Sequence, residues 1–144
     1  MLWVRGCRAE AALPFAAAAQ LLGGLSEHFE TVPPAQRRAL EVALALADGP
    51  APASLAVHSG ALGVLQAACA HEPLLVLADD LQWVAPESRR LLVYIGRRRS
   101  HERVALVMAM RDEPGGEVDL PDLPVLQLRG LDVADCCLLA RVRG

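Results

Sequence analysis

Short, mostly apolar runs alternate along this chain with longer stretches in which apolar residues recur at helical spacing. The runs are Leu2 to Gly6, Leu74 to Ala78, Val104 to Met108 and Val125 to Leu128. Runs of that length predict buried strands. Cys7 to Pro14 is a connector. Phe15 to Phe29 predicts a helix with Leu21, Leu22 and Leu25 on one face, weakened at its end by Gly23 and Gly24. Ala35 to Ala47 follows the Pro33–Pro34 pair, which suits a first helical turn, and carries Leu40, Leu44 and Ala47 on one stripe. Asp48 to Pro52 is a turn, and Leu55 to His71 is a third helix striped by Leu62, Leu65 and Cys69. Pro86 opens a helix with Ser88, Leu91, Leu92 and Ile95 inward. Arg111 to Pro124 reads as a polar loop, and Asp132 as the N-cap of a final helix. Strands alternating with helices predict an α/β fold on a parallel sheet covered on both faces.

The run at Leu74 stops abruptly at two adjacent carboxylates, Asp79 and Asp80, followed by Leu81-Gln82-Trp83. Acids at the end of a parallel strand reach the crevice beyond the carboxyl edge of the sheet, where open α/β sheets bind ligands. A cation belongs beside two such acids, and Mg²⁺ on a nucleotide phosphate is the usual one. In that reading Asp79 holds Mg²⁺ and Asp80 orients or deprotonates an attacking water. The plainer alternative is an Asp pair that caps the turn or the next helix. Arg111 follows the Val104 strand and falls on the same edge, where an Arg can contact a terminal phosphate. Its plainer role is a salt bridge to Asp112 or Glu113. Trp83 is expected as a buried anchor for the turn, with nucleotide stacking as the lesser alternative.

Composition narrows these readings. All fourteen basic residues are Arg, so the phosphate-gripping Gly-x-x-x-x-Gly-Lys-Ser/Thr motif is not in the chain. The net charge of −3 speaks against a general nucleic-acid surface, and Arg97 to Arg99 reads as a solvated triplet complementing a helix C-terminus. The four Cys show no metal-ligand spacing and are expected as reduced, mostly buried thiols of a cytoplasmic protein. Arg5 and Arg8 ahead of Ala11 to Leu25 mimic a signal peptide, but Glu10, Pro14 and Gln20 interrupt the pattern. No apolar run is long enough to span a bilayer. A phosphoreceiver domain also places acids at a strand end, but it needs a Lys on that edge.

Leu74 to Trp83, then Pro86-Glu87-Ser88, then Ala105 to Arg111 together resemble one family: the ATPase domain of large ATP-binding LuxR-type transcriptional regulators, among the STAND and AAA-like P-loop ATPases. Those proteins commonly read LLVVDDLQWAD-x-x-S at the Walker B strand and R-x-x-E-x-x-LPFA-x-x-x-x-LL earlier. Here the earlier stretch reads Arg8-Ala9-Glu10-Ala11-Ala12-Leu13-Pro14-Phe15-Ala16, then Gln20-Leu21-Leu22. Val125 to Asp132 is similar to the entry to their helical lid, and Ala78 stands where they often have Val. The resemblance covers nearly the whole chain.

It implies a three-layer P-loop NTPase-like sheet flanked by helices, lacking the first strand and the Walker A loop, which would lie before Met1. Residues 1–130 would be the Walker B and sensor half of the core, and 131–144 the start of the lid. By position Asp79 becomes the Mg²⁺-side acid, Asp80 the catalytic-water acid and Arg111 the sensor. The implied function is a partial ATPase domain, with ATP and Mg²⁺ as cofactors once a Walker A part is supplied, and hydrolysis as a transcriptional switch. DNA would be reached only through a helix-turn-helix domain beyond Gly144. The isolated chain is expected neither to bind ATP tightly nor to hydrolyse it. The alternative is a non-catalytic remnant or interaction module. For the sheet, the resemblance implies a parallel run with the Leu74 strand in the middle. The Val104 strand would be open where the missing strand belongs, inviting a protein partner, and Val125 to Leu128 would have no neighbour to pair with unless it slid into that gap.

Overall fold

The apolar runs resolve into a parallel three-stranded sheet in a computed structural model, which describes residues 1–70, 72–98, 103–111, 120 and 123–142. The strands are β1 (Leu2–Arg5), β2 (Leu74–Asp79) and β3 (Val104–Met108), in the order β1-β2-β3. The Leu74 strand is therefore central, as expected. Arg5 pairs in register with Asp79, and Ala78 with Met108. This register brings the C-terminal ends of all three strands to one edge.

Between the strands run α1 (Ala16–Gly23), α2 (Pro34–Ala43), α3 (Ser54–Ala68) and α4 (Pro86–Arg98), and α5 (Val133–Val142) follows the sheet. The helix expected over Phe15 to Phe29 is broken. It ends at Gly23, and Ser26–Thr31 continues as a tighter 3₁₀ turn. The two adjacent glycines lower the helical propensity there by about 1 kcal/mol each. The next helix ends early as well, at Ala43 instead of Ala47. Ala45 takes a left-handed conformation, φ 56°, while Leu46 N–H donates to the Glu41 carbonyl and Ala45 N–H to that of Val42. This is a Schellman stop, in which two orphan carbonyls gain donors and offset the strain of a non-glycine residue.

The core lies between the sheet and the helices. Val4, Val76 and Ala78 on the sheet meet Leu21 and Leu22 of α1, Val64 and Leu65 of α3, and Leu91, Leu92 and Ile95 of α4. Each of the larger side chains contributes about 1.5–3 kcal/mol by burial. Ser88 is the one polar member among the buried residues, and its Oγ accepts the Ala18 N–H in the first turn of α1. That donor has no partner within its own helix, so a polar group in the core is satisfied and useful. All four α4 residues expected inward are buried.

The expected cover on both faces is absent among the described residues. Val76 and Ala78 are sealed, but Leu75 and Leu77, on the opposite face of β2, stay outside the core cluster. Their neighbours Trp3 and Val107 are 55% and 54% exposed. The reason is topological. The chain steps from β1 to β2 to β3 in one direction, and right-handed crossovers taken in one direction lie on the same face. The α/β sheet flanked by helices is thus present, while among the described residues helices cover one of its faces. The strand expected at Val125 to Leu128 is also not formed, and its Val125, Leu126 and Leu128 are exposed. A strand needs a hydrogen-bonding neighbour, and among the described residues β3 pairs only with β2. The final helix does form, and Asp132 caps it: its Oδ1 accepts the Asp135 N–H at 2.8 Å. His71 and Arg99, expected at the ends of α3 and α4, fall outside the described residues. No helix among the described residues is long and apolar enough to cross a membrane.

Candidate functional site

The site grows from the way β2 ends. Ala109 N–H donates to the Ala78 carbonyl, and Leu81 N–H donates back to Ala109, so β3 grips the strand end from one side. From the other side Gly6 N–H donates to the Asp79 carbonyl at 2.9 Å. Between these grips Asp80 adopts a left-handed conformation, φ 51° and ψ 44°. Asp tolerates this region better than most residues, at a cost of about 1 kcal/mol. A Cβ on Gly6 would lie 2.2 Å from the Asp80 carbonyl oxygen, so glycine is required where β1 passes the turn.

The side chains follow from that backbone. The Asp79 carboxylate accepts the Asp80 N–H at 2.8 Å. Asp80, only 16% exposed at its side chain, lies between two arginines: its Oδ2 is 3.5 Å from Arg5 Nε and its Oδ1 is 3.8 Å from Arg111 Nε. Gln82 ties the pieces together. Its Nε2 donates to Asp80 Oδ1 at 3.1 Å and its Oε1 accepts the Arg111 N–H at 3.2 Å. Both arginines are mostly solvated, so each ion pair adds little stability, about 0.5 kcal/mol. Their effect is on geometry and local charge: a partly buried carboxylate is held toward two guanidinium groups whose remaining N–H donors are open.

Asp79, Asp80 and Arg111 thus converge on one sheet edge, as their positions in the sequence suggested. Arg111 faces Asp80 across the strand ends, while Asp112 and Glu113 lie outside the described residues. Trp83 departs from its expected place. It is half-buried, and the Arg8 guanidinium carbon sits 4.3 Å from its ring centroid, a cation–π contact that occupies a ring face. Cys69 is buried, but Cys7, Cys136 and Cys137 are exposed, against the expectation of mostly buried thiols. Among the described residues no group of three or more His, Cys, Asp or Glu could by itself hold a metal ion.

Sequence reasoning missed Arg5 and Gly6. Their signal was available, because a residue ending the first parallel strand must share an edge with the residue ending the second. Gln20 on α1 reinforces this corner: its Oε1 accepts the Arg5 N–H at 3.1 Å and its Nε2 donates to the Arg5 carbonyl.

In comparisons with known proteins, no family model, no curated protein and no solved structure matches this chain.

Proposed function

We propose that this chain is the Walker B and sensor half of a P-loop ATPase core, of the kind found in large ATP-binding LuxR-type regulators, where ATP hydrolysis serves as a switch. One observation carries the reading. Two adjacent acids end the central strand of a parallel sheet, and an Arg from the end of the neighbouring strand lies 3.8 Å from one of them. Mg²⁺ is usually held by one or two carboxylates, with phosphate oxygens and waters filling the other positions. Two adjacent carboxylates fit that partial role. When bound, Mg²⁺·ATP would supply an electrophilic terminal phosphate.

The chain's own residues would act around it. Asp79 would lie on the metal side, exchanging its bond to the Asp80 N–H for a water or the ion. Asp80 would accept a hydrogen bond from the attacking water. Arg111 would turn from Asp80 toward the terminal phosphate, a stronger acceptor. Arg5 would keep Asp80 anionic and in place as Arg111 departs. Phosphate contacts from backbone N–H groups and a Lys are the part this Lys-free chain does not contain.

A second reading is favoured by a different observation. Among the described residues β3 pairs only with β2, and Trp3 and Val107 stand exposed on one sheet face, which suits a non-catalytic module docked on another protein. One experiment separates the two. The chain is extended at its N-terminus with a strand and a Gly-x-x-x-x-Gly-Lys-Thr loop, taken from the coding sequence upstream of Met1 if it holds one. Asp80→Asn then lowers Mg²⁺-dependent hydrolysis at least ~100-fold while nucleotide affinity stays within about threefold, since Asn keeps the shape and loses the base. Asp79→Asn weakens Mg²⁺-dependent binding itself. Unchanged turnover in Asp80→Asn removes the ATPase reading and leaves the docking module.

A further inference from the structure

We propose that the seam between α3 and α4 binds a tetrahedral oxyanion, a phosphate or phosphomonoester group, through Arg90, Arg98 and His58. This seam is separate from the acid pair, and the proposal stands whether or not the chain belongs to an ATPase.

The seam is built from helical spacing. Arg90, Tyr94 and Arg98 recur every four residues on α4 and so share one stripe. Two adjacent α3 residues reach that stripe. The His58 ring lies 5.2 Å from the Tyr94 ring, tilted by 43°, and Ser59 Oγ is 3.1 Å from the Tyr94 hydroxyl. The Arg98 guanidinium carbon sits 3.8 Å over the Tyr94 ring. Stacking of this kind fixes the plane of the guanidinium and leaves its in-plane N–H donors for another acceptor.

The seam gathers two guanidinium groups that face no carboxylate among the described residues. Arg5, Arg37, Arg38 and Arg111 each face a carboxylate. Among the described residues neither Arg90 nor Arg98 has such a partner. Their charge is felt by His58: burial first, then Arg90 and Arg98, hold its imidazole below the ordinary histidine range. The charged residues of α2, Arg37, Arg38 and Glu41, do not face this histidine. Gly60, two residues further on and about 200° round the helix, is the position that meets Gln36 and Leu40 of α2. Two guanidinium groups, an imidazole and a pair of hydroxyls form a donor-rich surface, and a compact dianion with several acceptor oxygens matches it. Such a ligand would neutralise the repulsion among Arg90, Arg98 and His58 and make the charged imidazole easier to form.

The test is proton NMR of His58 in the whole chain, assigned with His58→Gln. Inorganic phosphate, glycerol phosphate, acetate and chloride are added at matched ionic strength. Phosphate and glycerol phosphate are expected to move the His58 resonance saturably, with millimolar Kd, and to raise its titration midpoint. His28, beside Glu27, serves as the reference that stays put. A tighter fit for the ester would name a phosphorylated molecule as the ligand, and equal affinity would show that the seam reads the phosphoryl group alone. Arg98→Gln is expected to weaken binding roughly tenfold, the loss of one charge-assisted hydrogen bond. Arg90→Gln is the second variant should Arg98→Gln disturb the fold. Equal shifts with chloride or acetate, or full phosphate affinity in both variants, would overturn the proposal.

Discussion

Val76 and Ala78 lie on one face of β2 and are sealed beneath helices, whereas Leu75 and Leu77 lie on the other face and remain outside the core. The four are alternate residues of a single strand, and all are apolar. The difference lies in where the connections run. Both crossovers leave the sheet on the same side, so among the described residues the covering helices lie on one face. Burial is therefore a property of topology as much as of residue type. An unalternating apolar strand announces a sheet meant to be covered on both sides. Here the chain's described residues supply one cover, and β3 also keeps an unpaired edge. The acid pair sits at the end of the same strand, gripped by β1 and β3 through backbone hydrogen bonds.

The comparison breaks if the two faces contribute equally to stability. Leu91→Ala beneath the covered face is expected to cost about 3 kcal/mol, because it leaves a cavity in the packed layer. Leu75→Ala on the bare face is expected to cost less than about 1 kcal/mol. Urea unfolding monitored by circular dichroism gives both values, and similar losses would mean that the second face is covered in solution. Gly6→Ala sharpens the contrast at the site. The new Cβ collides with the Asp80 carbonyl, and the backbone must move, for a loss of about 2 kcal/mol. Gly24→Ala, where a Cβ meets nothing within 4 Å, is the matched control and should be neutral within about 0.5 kcal/mol.

The smallest effect concerns pH. The folded-state pKa of His58 lies below its unfolded value of about 6.5, so the unfolded chain takes up the proton first as pH falls. Its contribution to stability is complete above that pH and is lost progressively below it. His58→Gln should flatten this part of the acid limb in unfolding curves measured between pH 7 and pH 5, and an unchanged limb would place the acid sensitivity elsewhere.

Much of this arrangement was readable from residue order. The family resemblance implied the central place of the Leu74 strand, the spacing of Leu91, Leu92 and Ile95 marked the buried side of α4, and Asp132 marked a helix start. What was not readable depended on partners distant in sequence. Val125 to Leu128 has strand-like residues, and pattern alone does not show whether a neighbour exists; its lack of one was implied only by the resemblance. The left-handed turn at Asp80 depends on Gly6, more than seventy residues earlier, leaving room for it. Arg5 was readable only as a residue at the shared strand edge; its pairing with Asp80 follows from the register of the two strands.

The central claim is that these residues are half of a nucleotide site. Calorimetric titration of ATP·Mg²⁺ tests it most directly, into the 144-residue chain and into the same chain carrying a strand and a Gly-x-x-x-x-Gly-Lys-Thr loop at its N-terminus. The account predicts no binding by the chain alone and micromolar binding by the extended chain that is lost on Asp79→Asn. Micromolar binding by the chain alone, or none by the extended chain, would contradict it.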